Sequence, residues 1–392
     1  MQLLDGVIQH YAWGSTSSLP QILGRPVDGR PWAELWLGAH PSAPATVGCS
    51  AERLDHLIAS DPSAALGADV AARFDGSLPF LVKILAADAP LSLQSHPSIA
   101  QARAGFAREN AAGVPVDAPH RSFRDQNHKP ELICALTPFD ALCGFRDPAA
   151  TLDVLATIET SALDGVRTEL RTAADGDRRL DSLLAHLLTL DATAAAALTE
   201  PIVEACRLAG PGEHGDVRSM VVELAEAYPG DAGIVTALLL NLVHLEPGAA
   251  LFLGAGNLHA YLRGTGVEIM ANSDNVLRGG LTPKHIDVET LLGVVEARPL
   301  PIDPQRPALR DGVATYDAPV PDFSLARIDV DGTASVEGPA ILLCVDGAVD
   351  GDGHTLDRGT AAWVPASAGP VELVGAGIVF VAGVGDLRAD EA

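Results

Sequence analysis

Residues 91–97 are the part of the chain whose residue types most directly indicate chemistry. Apolar and polar side chains alternate along this segment, which predicts a β-strand. Gln94 and His96 are two residues apart, so their side chains project from the same face of that strand. An amide oxygen and a neutral imidazole nitrogen on one face can serve as two ligands of a metal ion. Taken alone, the segment is explained better by a hydrogen-bonded glutamine and a structural histidine.

Two further candidate ligands lie far away in the chain: Glu131 in the segment NHKPE and His259 in the segment GNLHAY. With Gln94 and His96 they provide one amide, one carboxylate and two imidazoles. This set suits Zn²⁺ and would also accept Fe²⁺, Mn²⁺ or Co²⁺. A jelly-roll fold can bring residues of separate strands into one cavity, so the distant spacing is compatible with a metal site. Glu131 alone could form a salt bridge and His259 alone could lie in a turn, so only the complete set indicates a metal site.

Groups suited to proton transfer and anion binding are close to these candidates in the sequence. His128 and Lys129 lie in the NHKPE segment itself. A later segment, 266–278, adds four polar side chains: Glu268, Asn272, Asp274 and Arg278. The candidates for substrate or phosphate binding are Ser92, Lys83, Lys284 and Asn272, and Arg278 joins Ser92 and the two lysines in a locally positive patch. The ordinary alternatives are that Asp274 forms a turn and that Arg278 makes a surface ion pair.

The composition excludes some partners. The chain has 392 residues and a formal net charge of −25, which argues against unaided binding to nucleic acid or anionic membranes. Of its 26 basic residues only three are lysine, namely Lys83, Lys129 and Lys284. Ordinary surface positions accept arginine, so a retained lysine indicates a need for a compact ammonium group. We therefore predict that all three lysines converge on the active-site cavity.

The five cysteines do not indicate a disulfide framework or a cysteine metal site, because they are scattered and no CxxC motif occurs. They are Cys49, Cys134, Cys143, Cys206 and Cys344. The N-terminus lacks the basic segment that begins a secretory signal. The longest apolar run, residues 232–245, is too short to span a bilayer. We expect a soluble, cytoplasmic protein.

The pattern of elements predicts a mainly β chain with an α-helical insertion. The apolar strand that carries Lys83 leads directly into the strand of Gln94, so the two could form a hairpin. Residues 148–240 are rich in alanine and leucine at helical spacing. We predict three units: a cupin-like catalytic domain (1–147 plus 241–310), an inserted helical domain (148–240) and a C-terminal jelly-roll or β-sandwich domain (311–392).

Long segments of the chain, between residue 8 and about residue 290, resemble the type I mannose-6-phosphate isomerases, a zinc-dependent family with a cupin-like fold. The segments that carry the resemblance are QHYAWGS, WAELWLGAHP, LPFLVKILAADAPLSLQSHP, NHKPE, FDALCGFR and GNLHAYLRGTGVEIMANSDNVLRGGLTPKHID. The C-terminal part of the chain is only weakly similar to this family.

The resemblance implies one Zn²⁺ per chain, bound by Gln94, His96, Glu131 and His259. It implies a catalytic role for Arg278, and its candidate acid–base groups are His128, Lys129, Asp274, Glu268 and Tyr261. The implied reaction interconverts mannose 6-phosphate and fructose 6-phosphate through a cis-enediol and supplies GDP-mannose synthesis and mannose catabolism. A sugar phosphate is then the expected partner, with no nucleic acid and no membrane, and we expect a monomer.

Two other functions fit parts of the pattern. A metal-dependent cupin oxygenase would prefer Fe²⁺ and more histidine ligands, and it would have no use for phosphate-binding cations. A sugar-binding cupin without catalytic activity would bind the sugar phosphate but would not exchange its carbon-bound hydrogen.

Overall fold

The computed structural model of the protein describes residues 1–48 and 51–389. Two antiparallel sheets, of ten and nine strands, form the framework, and a block of helices between residues 148 and 238 lies in the sequence between two strands of the ten-stranded sheet. The prediction of a mainly β chain with a helical insertion is therefore confirmed. Cys49 lies outside the described residues, and the four other cysteines are buried free thiols.

The elements are numbered along the chain. The strands are β1 (Gln2–Asp5), β2 (Val7–Gln9), β3 (Glu34–Gly38), β4 (Thr46–Val47), β5 (Glu52–Arg53), β6 (Phe80–Ala87), β7 (Leu93–Ser95), β8 (Glu131–Ala135), β9 (Phe139–Phe145), β10 (Leu240–Leu245), β11 (Ala250–Leu253), β12 (His259–Ala271), β13 (Leu277–Gly280), β14 (Val313–Tyr316), β15 (Ser324–Val336), β16 (Ala340–Gly351), β17 (His354–Asp357), β18 (Ala361–Val364) and β19 (Val371–Gly383). The α-helices are α1 (Ser18–Ile22), α2 (Leu54–Ser60), α3 (Pro62–Leu66), α4 (Ala68–Arg73), α5 (Ile99–Ala111), α6 (Pro148–Ala156), α7 (Asp164–Asp175), α8 (Asp181–Leu188), α9 (Ala192–Ala209), α10 (Gly215–Ala227), α11 (Gly233–Leu238) and α12 (Val288–Val294).

Strand β12 organises the ten-stranded sheet. Its first part pairs with β7 and β9, and its second part pairs with β6 and β8. The predicted hairpin between β6 and β7 is wrong, because each of these strands pairs with β12 instead. β12 is 13 residues long, so it has room for different partners at its two ends. The segments that carry the candidate ligands are brought together by this one strand.

Strand β6 is buried at all eight positions. Such a continuous apolar run is typical of a strand that is covered on both faces. Lys83 is the single charged residue in it, and a charged group there requires compensating partners. The functional site supplies them.

The helices α6 to α11 occupy the predicted helical region, and β10 begins at Leu240. Their apolar positions recur at helical spacing, as on α8, where Leu183, Leu184 and Leu187 are buried. The same apolar core contains Leu93 of β7 and Leu277 of β13. The helices therefore support the strands that carry part of the candidate site. In the described part of the chain no single helix is long and apolar enough to cross a membrane; α8 and α9 pass that test only as a pair bent by 113°.

The nine-stranded sheet is not built from residues 311–392 alone, as the predicted C-terminal domain would require. Its order is β14-β15-β19-β16-β18-β1-β4-β5, with β17 beside β16. β1, β4 and β5 come from the beginning of the chain. The pairing of β1 with β18 provides hydrogen-bond partners for backbone N–H and C=O groups that would be unpaired if β18 were an exposed edge strand. The N-terminal strand thus ties the two sheets into one structure.

Candidate active site and metal centre

Three buried side chains lie close together at the ten-stranded sheet: His96, Glu131 and His259. Their ligand atoms all lie within 4.8 Å of one another. The Nε2 atom of His96 is 3.4 Å from one oxygen of Glu131, and the Nε2 atom of His259 is 3.3 Å from the other. All three residues are at most 2% exposed. Two imidazoles and a carboxylate at this separation have the donor set of a transition-metal site.

Backbone carbonyl groups orient both imidazole rings. The Nδ1 atom of His96 is 2.7 Å from the carbonyl oxygen of Asn275, and that of His259 is 3.1 Å from the carbonyl oxygen of Asn257. A carbonyl only accepts, so each Nδ1 carries the proton and donates, which leaves each Nε2 with a lone pair. Among the residues that the structure describes, neither Nε2 has a hydrogen-bond partner, although both are buried. Buried polar atoms without partners are rare, and a metal ion between these rings would account for both.

Gln94 joins this group through strand register. On β7 it lies opposite His259 of β12 on one side and opposite Arg278 of β13 on the other. Directly opposed residues on neighbouring strands have their side chains close together. Gln94 also lines the cavity above the three ligands. Its amide oxygen is therefore available as a fourth ligand.

The charges at the centre keep these groups in the form that binds a metal. Burial alone would raise the pKa of Glu131, but the ammonium of Lys129 and the ring of His96 outweigh this and lower it well below its ordinary value. The Nζ atom of Lys129 lies 3.1 Å from Glu131. Burial lowers the pKa of His96 to about 4. A neutral histidine and an ionised glutamate are the states that metal binding requires.

A cavity of about 760 Å³, called the active-site cavity below, opens above this centre. It is lined by most of the residues that the sequence pointed to: Lys83, Ser92, Gln94, Lys129, Glu131, Tyr261, Glu268, Asp274, Arg278 and Lys284. The predicted convergence of the three lysines on one cavity is confirmed. Lys83 and Lys129 are buried, while Lys284 lies at the mouth.

Lys83 is neutralised by two buried carboxylates. Its Nζ atom lies 3.3 Å from Glu34 and 3.4 Å from Glu268, and 5.0 Å from the ring centroid of Trp36. Burial alone would lower the pKa of Lys83, but these carboxylates reverse the effect and raise it. For Glu268, burial and the charge of Glu131 raise the pKa, while Lys83 opposes them. The expectation that Lys83 contributes positive charge for a phosphate is not supported, because its charge is already balanced.

Three cations without a carboxylate partner lie at the mouth of the cavity: Arg124, Arg278 and Lys284. None of them forms an ion pair within residues 1–48 and 51–389. Partial burial, and then the charges of Arg278 and Arg124, lower the pKa of Lys284. Burial and Arg124 likewise lower the pKa of Arg278. Mutual repulsion of this kind marks a place where an anion is stabilised. Arg124 was not predicted from the sequence. The only sequence feature that indicated it is its position as a basic residue five positions before Lys129.

His128 and Asn272 are not brought into the active-site cavity. The Nε2 atom of His128 is 2.9 Å from Asp322, and the side chain of Asn272 donates to the carbonyl of Leu78 at 2.6 Å. Both line a neighbouring space of about 800 Å³, called the second cavity below. Consecutive residues of an extended chain point to opposite sides, so His128 faces away where Lys129 faces the centre. The expected roles of His128 and Asn272 at the substrate therefore find no support in their positions.

Comparison with known proteins agrees with this arrangement. Residues 1–148 match the model of the catalytic domain of type I phosphomannose isomerases. The mannose-6-phosphate isomerase of Escherichia coli (strain K12) is 39% identical over 393 residues, which cover 96% of this chain and 98% of that protein. The human mannose-6-phosphate isomerase is 32% identical over 412 residues, covering 96% of this chain and 92% of that protein.

Solved structures extend the similarity to three dimensions. A crystal structure of mannose 6-phosphate isomerase bound with zinc and yttrium aligns with a TM-score of 0.87 and 36% identity, covering 98% of this chain and 99% of that one. The apo form of the enzyme from Salmonella typhimurium also aligns with a TM-score of 0.87. Because the similarity runs over nearly the whole length of both sequence and fold, the chain belongs to the type I mannose-6-phosphate isomerase family.

Proposed function

We propose that the protein is a zinc-dependent aldose–ketose isomerase that interconverts D-mannose 6-phosphate and D-fructose 6-phosphate. The observation that carries this proposal is the pairing of a buried His–Glu–His group with a cavity whose mouth holds three cations that form no ion pair with any described residue. A sugar phosphate needs both features, since its phosphate requires positive charge and its carbonyl requires an electrophile. The family relationship identifies the sugar.

Zinc would be held by Gln94, His96, Glu131 and His259. The unpartnered Nε2 atoms of both histidines support this assignment. When bound, zinc supplies a Lewis acid that polarises the sugar oxygens and so makes the hydrogen on C2 more acidic. One carboxylate among four ligands leaves the centre with net positive charge.

The phosphate would bind at the mouth, on Lys284, Arg278 and Arg124. These three side chains are the cations of the cavity that no carboxylate neutralises in the described part of the chain. Ser92 also lines the cavity and can donate a hydroxyl hydrogen bond. A dianionic group is thereby attracted to one point of a protein whose net charge is −25.

Proton transfer then takes place between the phosphate-binding cations and the metal centre. A base removes the hydrogen from C2 of the open-chain sugar, the electron pair forms the C1–C2 double bond as the C1 carbonyl bond opens, and the C1 oxygen takes up a proton from an acid group, which gives a cis-enediol. The proton returns to C1 while the C2 hydroxyl loses its own proton, which gives the ketose. Lys129 and Asp274 line the cavity and are the candidate proton-transfer groups, the carboxylate of Asp274 as base and the ammonium of Lys129 as acid. Arg278 would stabilise the developing oxyanion.

Two buried residues, Tyr261 and Glu268, would maintain the arrangement of polar groups in the active-site cavity. Burial, and then the charges of Glu268 and Glu131, raise the pKa of Tyr261 well above its ordinary value. Its hydroxyl group therefore stays protonated and can donate a hydrogen bond to a sugar oxygen. Glu268 lies 3.4 Å from the Nζ atom of Lys83 and helps to balance its charge. Glu268 also lines the active-site cavity.

We further propose that the part of residues 1–147 and 241–310 that builds the ten-stranded sheet forms the catalytic domain, with 148–240 as its helical insertion and the C-terminal strands, completed by β1, β4 and β5, as a supporting domain. The location of all cavity-lining residues before residue 311 supports this division. We also propose that the protein acts as a monomer. A phosphorylated sugar as substrate favours a cytoplasmic location.

The test is an isomerase assay in which fructose 6-phosphate formation is coupled to a colour reaction. Activity should disappear after treatment with a chelator and return with added Zn²⁺. In deuterated water the product should carry deuterium at the carbon that receives the proton. Binding of mannose 6-phosphate without turnover or isotope exchange would show a sugar-binding protein instead, and oxygen consumption would show an oxygenase.

A further inference from the structure

His40 is a buried polar residue that the reaction proposed above does not use. It follows β3 in the segment GAHP and is 5% exposed. Its ring packs edge-on against Trp36, with the ring centroids 5.0 Å apart. His40 lines both the active-site cavity and the second cavity. It therefore lies in the wall between them.

The hydrogen bonds of His40 determine which ring nitrogen carries the proton. The backbone N–H of Ser42 donates to Nδ1 at 3.4 Å, and the hydroxyl oxygen of Ser42 is 2.7 Å from the same atom. A backbone N–H can only donate, so Nδ1 accepts and the neutral ring has its hydrogen on Nε2. Burial lowers the pKa of His40, which keeps the ring neutral.

The Nε2 atom of His40 faces the carboxylate of Asp274 at 3.6 Å. The backbone of Asp274 is already fixed, because its N–H donates to Asp125 at 2.7 Å. Its side chain is 47% exposed and lines the cavity where the substrate would bind. A carboxylate in this position has freedom to rotate into solvent unless a neighbouring group restrains it.

We infer that His40 is a positioning residue for Asp274, whose carboxylate it holds toward the substrate by an Nε2–H···O contact. This inference rests on the proposed isomerase function. A separation of 3.6 Å is longer than a hydrogen bond, and contacts of catalytic groups are commonly long before substrate binds. The ring is itself held by contacts with Ser42 and Trp36, so its Nε2 atom has a fixed position from which it can restrain the carboxylate of Asp274.

Two amide substitutions test this geometry with little change in size or polarity. In His40→Gln the amide NH₂ group can reach the position of Nε2, whereas in His40→Asn it reaches only the position of Nδ1. We expect His40→Gln to keep kcat within about threefold of the parent enzyme and His40→Asn to lower it by about 10- to 100-fold, since misplaced catalytic groups cost about this much. KM, zinc content and melting temperature should stay close to those of the parent enzyme.

A double-mutant cycle with Asp274→Asn shows whether His40 acts through Asp274. If it does, His40→Asn should add less than about twofold to the loss caused by Asp274→Asn alone. His244→Phe is the control, because His244 forms a similar pair with Asp140 at 2.6 Å outside both cavities. The kcat of His244→Phe should equal that of the parent enzyme.

Three results would overturn the inference. Multiplicative losses in the double variant would show that His40 acts independently of Asp274. Equal losses for His40→Gln and His40→Asn would show that only packing matters. Normal turnover of Asp274→Asn, in a protein whose parent is an active isomerase, would show that the reaction does not need the carboxylate that His40 is inferred to hold. A parent protein without isomerase activity would refute the proposed function instead.

Discussion

Lys83→Met tests whether the lysine in β6 exists to balance buried negative charge. Methionine fills nearly the same volume and keeps the strand apolar, but it leaves Glu34 and Glu268 without the ammonium that lies 3.3 and 3.4 Å from them. All three residues are at most 6% exposed. Removing one partner of a buried ion pair typically destabilises a protein by about 3–5 kcal/mol, and we expect a loss of this size at pH 8.

The loss should depend on pH with a definite sign. Burial and neighbouring carboxylates already raise the pKa of Glu268, and loss of the positive charge raises it further. A glutamate whose pKa is higher in the folded than in the unfolded protein binds more protons when folded, so stability falls as pH rises. The difference between the parent protein and Lys83→Met should therefore be largest at pH 8 and smaller near pH 5.

The measurement is urea unfolding of both metal-free proteins at pH 8 and pH 5. Lys284→Met is the matched control, because Lys284 is exposed and has no carboxylate partner among the described residues; its free energy of unfolding should change by less than about 0.5 kcal/mol. Adding Glu268→Gln to Lys83→Met should recover part of the loss. A loss below about 1 kcal/mol, or one that is the same at both pH values, would refute the charge-balance explanation.

Four further predictions concern the metal, the substrate and pH. Glu131→Gln removes the single carboxylate ligand and should weaken zinc binding by about 100-fold or more in a chelator competition; unchanged affinity would refute the assignment. Lys284→Met should raise KM about tenfold with kcat nearly unchanged, as expected for a contact made equally in ground and transition states, and a selective fall in kcat would contradict this role. Lys129→Arg keeps the charge but misplaces the donor, so kcat should fall by about 100-fold or more if Lys129 transfers the proton; normal turnover would exclude it. In metal-free protein, unfolded His96 titrates near its ordinary value of 6.5 and folded His96 at about 4, so the free energy of unfolding should fall by about 3 kcal/mol as pH falls through this window; His96→Gln should abolish that part of the pH dependence.

Much of the candidate site could be predicted from residue types and local spacing. Gln94 and His96 share a face because alternate residues of a strand do so in any fold. The rarity of lysine pointed to Lys83, Lys129 and Lys284, and all three line the active-site cavity. The helical block was equally visible, because apolar residues at helical spacing need only local sequence to be recognised.

The role of each residue within the cavity was not visible in this way. Whether Lys83 is free or neutralised depends on Glu34 and Glu268, which reach it from β3 and β12. Whether His128 faces the metal centre depends on the direction of the backbone before β8, and Asp322 holds it on the other side. These contacts join residues 49 to 194 positions apart in the chain.

By itself, therefore, the sequence determined the family, the ligand types, the helical block and the residues that must meet at the site. Only the tertiary structure decided that β6 and β7 each pair with β12 and not with each other, that β1 completes the C-terminal sheet and that His40 faces Asp274. The physical reason is that strand periodicity and helix periodicity are local properties of the backbone. Strand pairing and ion-pair partners depend on register between distant segments, which is determined only when the two sheets and their cores pack together.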